Sequence, residues 1–454
     1  SLRRRQRQMC IRDRYKVVCG GDLMQDGRYK GLLDDIANLE SFEAIAGLTQ
    51  PNLSDFQSKD LLHALAVKAF CCMYDTGMGK TFVATAYMQA LKNQDSSRKF
   101  LMFGTNSQLD QTVRKIQSMS NLKVICYNES PQYTITENDL QVADVILLSH
   151  GCLTEPNHVT ALTFYLDRFF AVVIDEMHLV SNFVKSRNAQ TLQFICSRFE
   201  YILGLTATPI TTDVEQLARC LYMINPSVVN NWKDIALDLK NYGASAIDGS
   251  MRDLYVVRQR PQNNHRGVPL FVNAMQHQLG AKGQNLFEIT KGPNAVVQHE
   301  AVKQVIDTFP GQSGLIYANR RIVQTALCDY LTSIGYEVAV INGDTKRKDR
   351  ESILERFRNG EYDAIITNIK ESLDMDCQWV LFYEFTPHVK QFIGRAERGF
   401  TSKNLPVMFL FTRDTDEYDY FYRNVYLISQ AVQDILKIDF KEVTKMDLDD
   451  SSVF

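Results

Sequence analysis

The chain has 454 residues and ten cysteines, yet it holds no C-x-x-C pair and no cysteine–histidine ligand spacing. Buried free thiols in a reducing compartment are the reading that remains, with Cys71 and Cys72 inside an expected strand. No apolar run approaches the roughly 18 residues of a membrane span, because Lys68, Asp175 and similar charges interrupt the candidates. A secretion signal is missing, and no short repeat period appears. The sequence also lacks an excess of positive charge: a net charge of −3 argues against a highly basic nucleic-acid coat, but leaves room for a local basic groove. What is present is ordinary for a globular protein, 45% hydrophobic and 23% charged, with length for two or three domains. An intracellular, cytoplasmic location is expected. Residues 1–14 are set aside as a basic leader, disordered or non-native, because Arg3 through Arg14 resemble translated sequencing-adaptor read-through.

Positive features begin at Tyr74-Asp75-Thr76-Gly77-Met78-Gly79-Lys80-Thr81. The apolar run Ala69–Met73 before it reads as a buried strand, and Phe82–Met88 after it reads as a helix. A glycine-bearing loop between strand and helix turns backbone N–H groups and a helix dipole toward an anion. Lys80 would reach the β- and γ-phosphates and Thr81 would hold Mg²⁺. The strict pattern wants glycine where Tyr74 stands. A chance Gly-Lys-Thr turn reads the same way in isolation.

Short continuous apolar runs recur along the chain, with helical stretches between them. The first series is Phe100–Phe103, Lys123–Cys126, Asp144–Leu148, Ala171–Ile174 and Tyr201–Leu205. The second is Gly314–Tyr317, Val338–Ile341, Ala364–Ile366, Trp379–Tyr383 and Val407–Phe411. Continuous rather than alternating apolarity predicts strands buried on both faces, hence parallel sheets covered by helices. Two α/β lobes follow, expected over 52–237 and 312–438, with a lead-in over 15–51. Residues 238–311 are expected as a connector or small subdomain, and 439–454 as a disordered acidic tail.

Asp175-Glu176-Met177-His178 ends one expected parallel strand, where open α/β sheets hold ligands. Asp175 suits Mg²⁺, and Glu176 suits the task of orienting and deprotonating a water. A solvated acidic turn is the plain alternative. Leu205-Thr206-Ala207-Thr208-Pro209 ends the next strand and is either a Thr-rich turn or a hydroxyl pair linking the phosphate site to the rest. Gln391, Arg395 and Arg398 share one helix face by their i, i+4, i+7 spacing. Arginine forks match phosphate oxygens, so these two could answer a γ-phosphate as arginine fingers do; a solvated basic stripe is the alternative.

Taken in order, these motifs resemble the motor core of the superfamily-two helicases and translocases, over about Asn52 to Leu436. Within that superfamily the chain looks most like the Swi/Snf-type, DEAH-box-like DNA-dependent ATPases. The similarity lies in Asp75 through Thr81, in Leu205–Ile210 with Glu215-Gln216-Leu217 and Met223–Pro226, in Phe385-Thr386-Pro387 and in Asp414–Glu417. Ser372-Leu373-Asp374 lacks the glycines of that branch's fifth motif, and Gly399-Phe400 lacks the usual following glutamine.

The resemblance implies two tandem RecA-like lobes with ATP and Mg²⁺ in the cleft between them, and translocation on DNA, most naturally duplex DNA. A strand-separating DNA or RNA helicase and a non-hydrolysing nucleic-acid scaffold are the rivals. The resemblance also implies that Phe56 and Gln57 meet the adenine, and that Thr76, Gly77, Met78, Gly79, Lys80 and Thr81 cradle phosphate and Mg²⁺. Asp175 becomes the metal carboxylate and Glu176 the general base. His178, Thr206, Thr208 and Gln391 become coupling residues, and Arg395 and Arg398 complete the γ-phosphate site. Nucleic-acid contacts are expected from Asn106, Ser107, Ser149, His150, Asn319, Arg320, Thr345, Thr367 and Asn368, polar groups suited to a phosphodiester backbone. The cluster Lys346-Arg347-Lys348-Asp349-Arg350 either adds salt-dependent attraction or is a solvated helix start.

Overall fold

In the computed structural model of the chain, the described residues are 47–48, 53–210, 213–247, 249–258, 267–272, 295–368, 375–386, 389–396, 405–412, 417, 421 and 452–453. They divide into two units, Ser1–Arg258 and Gln259–Phe454.

In the first unit, apolar segments too short for helices form β1 (Ala69–Tyr74), β2 (Phe100–Gly104), β3 (Val124–Tyr127), β4 (Val145–Ser149), β5 (Ala171–Ile174), β6 (Tyr201–Thr206) and β7 (Tyr255–Arg258). All pair in parallel, in the order β3-β4-β2-β5-β6-β1-β7. Every residue of β1, β2, β4, β5 and β6 is buried, because helices cover both faces of the sheet. Helix α1 (Asp55–Val67) precedes β1, and helix α2 (Lys80–Gln94) follows it. The α2 stretch Val83–Leu91 is buried throughout, which anchors the loop at its N-terminus.

The second unit contains β8 (Gly267–Val272), β9 (Gly314–Tyr317), β10 (Val338–Ile341), β11 (Ala364–Thr367), β12 (Trp379–Phe382), β13 (Val407–Thr412) and β14 (Ser452–Val453). Their order, β10-β11-β9-β12-β13-β8-β14, repeats the first sheet strand for strand. Alternate residues feed two cores: Leu315, Phe382 and Phe409 lie on one face, Ile316, Leu381 and Leu410 on the other. Helix α3 (Val296–Thr308) stands between β8 and β9, as α2 stands between β1 and β2. Helix α4 (Arg321–Ser333) follows β9, and helix α5 (Val389–Ala396) follows β12.

All eleven expected strands form, Ala69–Met73 and the five of each series. The stretch 238–311, read as a connector, contributes β7 to the first sheet and β8 to the second. Its strand signal is weak because β7 is an edge strand, only half-buried along its length. The acidic segment near the end of the sequence includes Ser452–Val453, which pair in parallel with β8.

Candidate functional site

Gly77 and Gly79 take φ of 78° and 82°, the left-handed region that costs glycine nothing, and so turn the chain sharply from β1 into α2. The Phe82 and Val83 N–H groups donate back to the Gly79 carbonyl, at 2.9 and 3.2 Å. Lys80 Nζ donates to the Tyr74 carbonyl at 3.0 Å, so the ammonium already folds over the loop that precedes it. A Cβ on Gly79 would fall on the side-chain amide nitrogen of Gln57.

Gln57 is buried against this loop. Its Oε1 accepts the Ser54 N–H at 3.0 Å and its Nε2 donates to the Met78 carbonyl at 2.9 Å. A primary amide has two donors and two lone pairs, so one of each remains. Phe56 lies edge-on to Tyr74, with centroids 5.7 Å apart.

Asp175 and Glu176 follow β5. The Glu176 N–H donates to Asp175 Oδ1 at 3.0 Å, and Glu176 sits at φ 47°, a left-handed conformation unusual for a side-chain-bearing residue. Burial, and next the Glu176 charge, push the Asp175 carboxyl above the usual carboxylate range, while Lys80 pulls the other way. A divalent cation favours the charged form of such a carboxylate. The donor set of Thr81 hydroxyl and Asp175 carboxylate fits Mg²⁺, which typically takes few protein oxygens and completes its shell with phosphate and water. Among the described residues no group of three His, Cys, Asp or Glu side chains could hold a metal ion by itself.

His178 joins this pair to β6. Its Nδ1 lies 3.4 Å from Glu176 Oε2 and 2.8 Å from Thr206 Oγ1, and its Nε2 lies 3.4 Å from Thr208 Oγ1. The Thr208 N–H donates to Thr206 Oγ1 at 3.1 Å, and Gln216 Nε2 donates to the His178 carbonyl at 2.8 Å. Burial lowers the His178 pKa and so favours the neutral ring. Met177 stands where a strict Asp-Glu-Ala-His box has alanine. It is fully buried, and a Cβ on Gly204 would come within 2.6 Å of its sulfur.

The expected nucleic-acid contacts separate into two groups. Asn106, Ser107, Asn319 and Arg320 are exposed just beyond their strands. Ser149 and Thr367 are buried instead: Ser149 Oγ meets Cys152 Sγ at 3.4 Å, and Thr367 Oγ1 donates to the Ile341 carbonyl at 2.8 Å. Asn368 is also buried. His150 turns inward, its Nε2 donating to the Asp175 carbonyl at 2.9 Å, and burial lowers its pKa to about 4. It therefore supports the acidic pair from below. Thr345 Oγ1 accepts the Asn342 N–H at 3.0 Å and closes a turn. Gln391 and Arg395 lie on α5, and Arg398 falls outside the described residues.

Sequence reasoning missed Glu384. In the second sheet it holds the place of Glu176: Tyr383 N–H bonds the Tyr317 carbonyl as Asp175 N–H bonds that of Phe103. Buried Glu384 accepts the backbone N–H groups of Asn319 at 2.5 Å and Arg320 at 3.0 Å, fixing the start of α4. The signal available in sequence was only an acidic residue one position beyond a buried strand.

Two family profiles match the chain. The one described as Type III restriction enzyme, res subunit covers residues 56–211, and the helicase conserved C-terminal domain covers residues 298–400. Among curated relatives, the ATP-dependent RNA helicase dbp5 of Sclerotinia sclerotiorum is 26% identical over 138 residues, 28% of this chain and 29% of that protein. The ATP-dependent RNA helicase DBP2 of Encephalitozoon cuniculi is 23% identical over 32% of this chain and 30% of that protein. The chain thus spans less than a third of the length of either relative. A solved structure, the Sulfolobus solfataricus SWI2/SNF2 ATPase core in complex with dsDNA, aligns with 88% of this chain and 95% of its own at 15% identity and a TM-score of 0.42.

Proposed function

The chain belongs to the superfamily-two helicases and translocases, ATP-dependent nucleic-acid motors, and from that premise we propose that it hydrolyses ATP to translocate on duplex DNA. The observation that carries the site assignment is the linked chain Lys80 loop, Asp175–Glu176, His178 and Thr206, in which phosphate cradle, acidic pair and hydroxyl sensor share one sheet. Lys80 and the loop amides hold the β- and γ-phosphates. The remaining donor and lone pair of Gln57 suit the adenine edge, with Phe56 beside it. Thr81 and Asp175 would hold Mg²⁺, whose chemistry is to offset phosphate charge. Glu176 takes a proton from the water that attacks the γ-phosphorus; the new P–O bond forms as the bond to the β–γ bridging oxygen breaks, and ADP leaves. Through His178, the state of Glu176 reaches Thr206, Thr208 and Gln216. Arg395 and Arg398 answer the γ-phosphate charge, a role supported by their helical spacing with Gln391.

The likeness of Asp75–Thr81 and of the Leu205–Pro226 stretch to the Swi/Snf-type branch supports duplex DNA as the track. The matched RNA helicases support a second reading, strand separation on RNA. Asn106, Ser107, Asn319 and Arg320, exposed at strand ends, are the backbone contacts either reading needs. An assay with two substrates separates them. ATP-dependent displacement of a third strand from duplex DNA, with a forked duplex left intact, is the expected result. Release of a strand from the fork, on DNA or RNA, selects the helicase reading.

A further inference from the structure

Beneath the nucleotide loop lies a buried carboxylate that none of the motifs uses. Asp60 sits on α1 one turn beyond Gln57 and is 4% exposed. Arg258, the last residue of β7, grips it with two parallel hydrogen bonds, Nε to Oδ2 at 2.8 Å and Nη2 to Oδ1 at 2.5 Å. The Tyr74 hydroxyl donates to the same Oδ2 at 2.7 Å. Tyr74 is the last residue of β1 and pairs with Arg258 across the sheet; the next N–H, of Asp75, donates to the Arg258 carbonyl at 3.0 Å. The guanidinium carbon stands 5.8 Å from the centroid of the Phe56 ring. One turn farther along α1, His63 Nε2 meets the Asp253 carbonyl at 3.0 Å, a second tie between α1 and the segment entering β7.

A buried ion pair is a weak source of stability, since apolar side chains of similar volume often serve as well. Its distinctive capacity is to fix geometry, because fork and carboxylate match in one orientation. Here it fixes α1, the element bearing Phe56 and Gln57, against the last residue before the phosphate loop. We propose that Asp60, Arg258 and Tyr74 are positioning residues for the nucleotide, setting the base-reading face of α1 relative to the loop that cradles phosphate and thereby setting base selectivity. The tyrosine in place of the first glycine is then part of the device. This inference rests on the reading that ATP binds at this loop.

Steady-state turnover of ATP and GTP with stimulating nucleic acid tests it, together with inhibition by inorganic tripolyphosphate, which has no base. The wild type comes first: absence of any turnover by the wild type overturns the reading of the site, independently of the brace. With that control in hand, Tyr74→Phe and Arg258→Lys carry the decision, because both keep the volume of the side chain, and Asp60→Asn extends the series. In each variant that melts within a few degrees of the wild type, KM for ATP rises about tenfold, the order expected for losing a hydrogen bond to a charged group, while kcat stays. The preference for ATP over GTP shrinks, and the tripolyphosphate inhibition constant does not move. An unchanged ATP-to-GTP preference overturns the proposal. So does a tripolyphosphate constant that rises in step with the KM for ATP, since that pattern marks general loosening of the loop.

Discussion

Glu176 concentrates several costs in one residue. It is buried, its backbone takes a left-handed φ of 47°, and its neighbour Asp175 is a second, half-buried acid. A stability-driven sequence would not favour such a residue, because each unfavourable backbone well of this kind costs about 1–3 kcal/mol. The position persists because its N–H bonds Asp175 and its carboxylate meets His178. Glu176→Gln keeps the shape and removes the base, so ATP binding should persist while turnover falls about 10²–10⁴-fold, measured by nucleotide-binding fluorescence and phosphate release. Turnover close to the wild type would remove Glu176 from the role of base. The position of these residues at the end of a buried strand was legible in the sequence, since strand, carboxylates and loop carry their own patterns. What a hydroxyl does at a strand end was not: Ser149 and Thr367 read as polar contacts, yet the sheet buries them and they bond neighbouring groups of the fold.

Among the elements, β6 and the turn after β5 are matched to one another. Gly204 lies in the middle of β6, and a Cβ there would come within 2.6 Å of Met177 Sδ, 3.2 Å of Ile224 Cδ1 and 3.3 Å of Cys71 Sγ. The methionine between Glu176 and His178 is therefore accommodated by a missing side chain across the sheet. Gly204→Ala should destabilise the fold by about 1–3 kcal/mol through overpacking. Adding Met177→Ala should recover part of that loss, a coupling read from chemical denaturation of the two single variants and the double. Strict additivity would contradict it. In the second unit, His299 on α3 is buried, its ring 5.4 Å from that of Tyr330 and 6.0 Å from that of Tyr383. Burial lowers its pKa to about 4 from the ordinary 6.5. The unfolded chain thus binds the proton more tightly, so this residue's contribution is present above pH 6.5 and is lost as pH falls toward 4. His150 in the first unit acts in the same direction. Melting temperature should accordingly fall between pH 7 and 5, and His299→Phe should flatten part of that slope; an unaltered slope would contradict the assignment.

Across the whole molecule, one strand order is used twice. The apolar runs of the sequence revealed eleven strands and the parallel character of both sheets, because buried parallel strands are apolar along their whole length. They did not reveal β7 and β8, which complete the two sheets from within an apparently irregular stretch, nor the matched order of the sheets. Strand neighbours are set by long-range pairing, and a single sequence does not display it. The Gly-Lys-Thr loop occurs once, between β1 and α2, whereas the segment joining β8 to α3 has no such triplet. The two units are thus alike in fold and unlike in chemistry, and Arg398→Ala probes the contribution of the second. It should retain ATP binding and lose hydrolysis; normal hydrolysis would contradict the role assigned to that arginine.

The central claim, an ATPase driven by a duplex-DNA track, is tested most directly by the rate of ATP hydrolysis with no nucleic acid, single-stranded DNA, duplex DNA and RNA. The account predicts low turnover alone and the strongest stimulation by duplex DNA. Turnover indifferent to every nucleic acid, or stimulated by RNA alone, would contradict it.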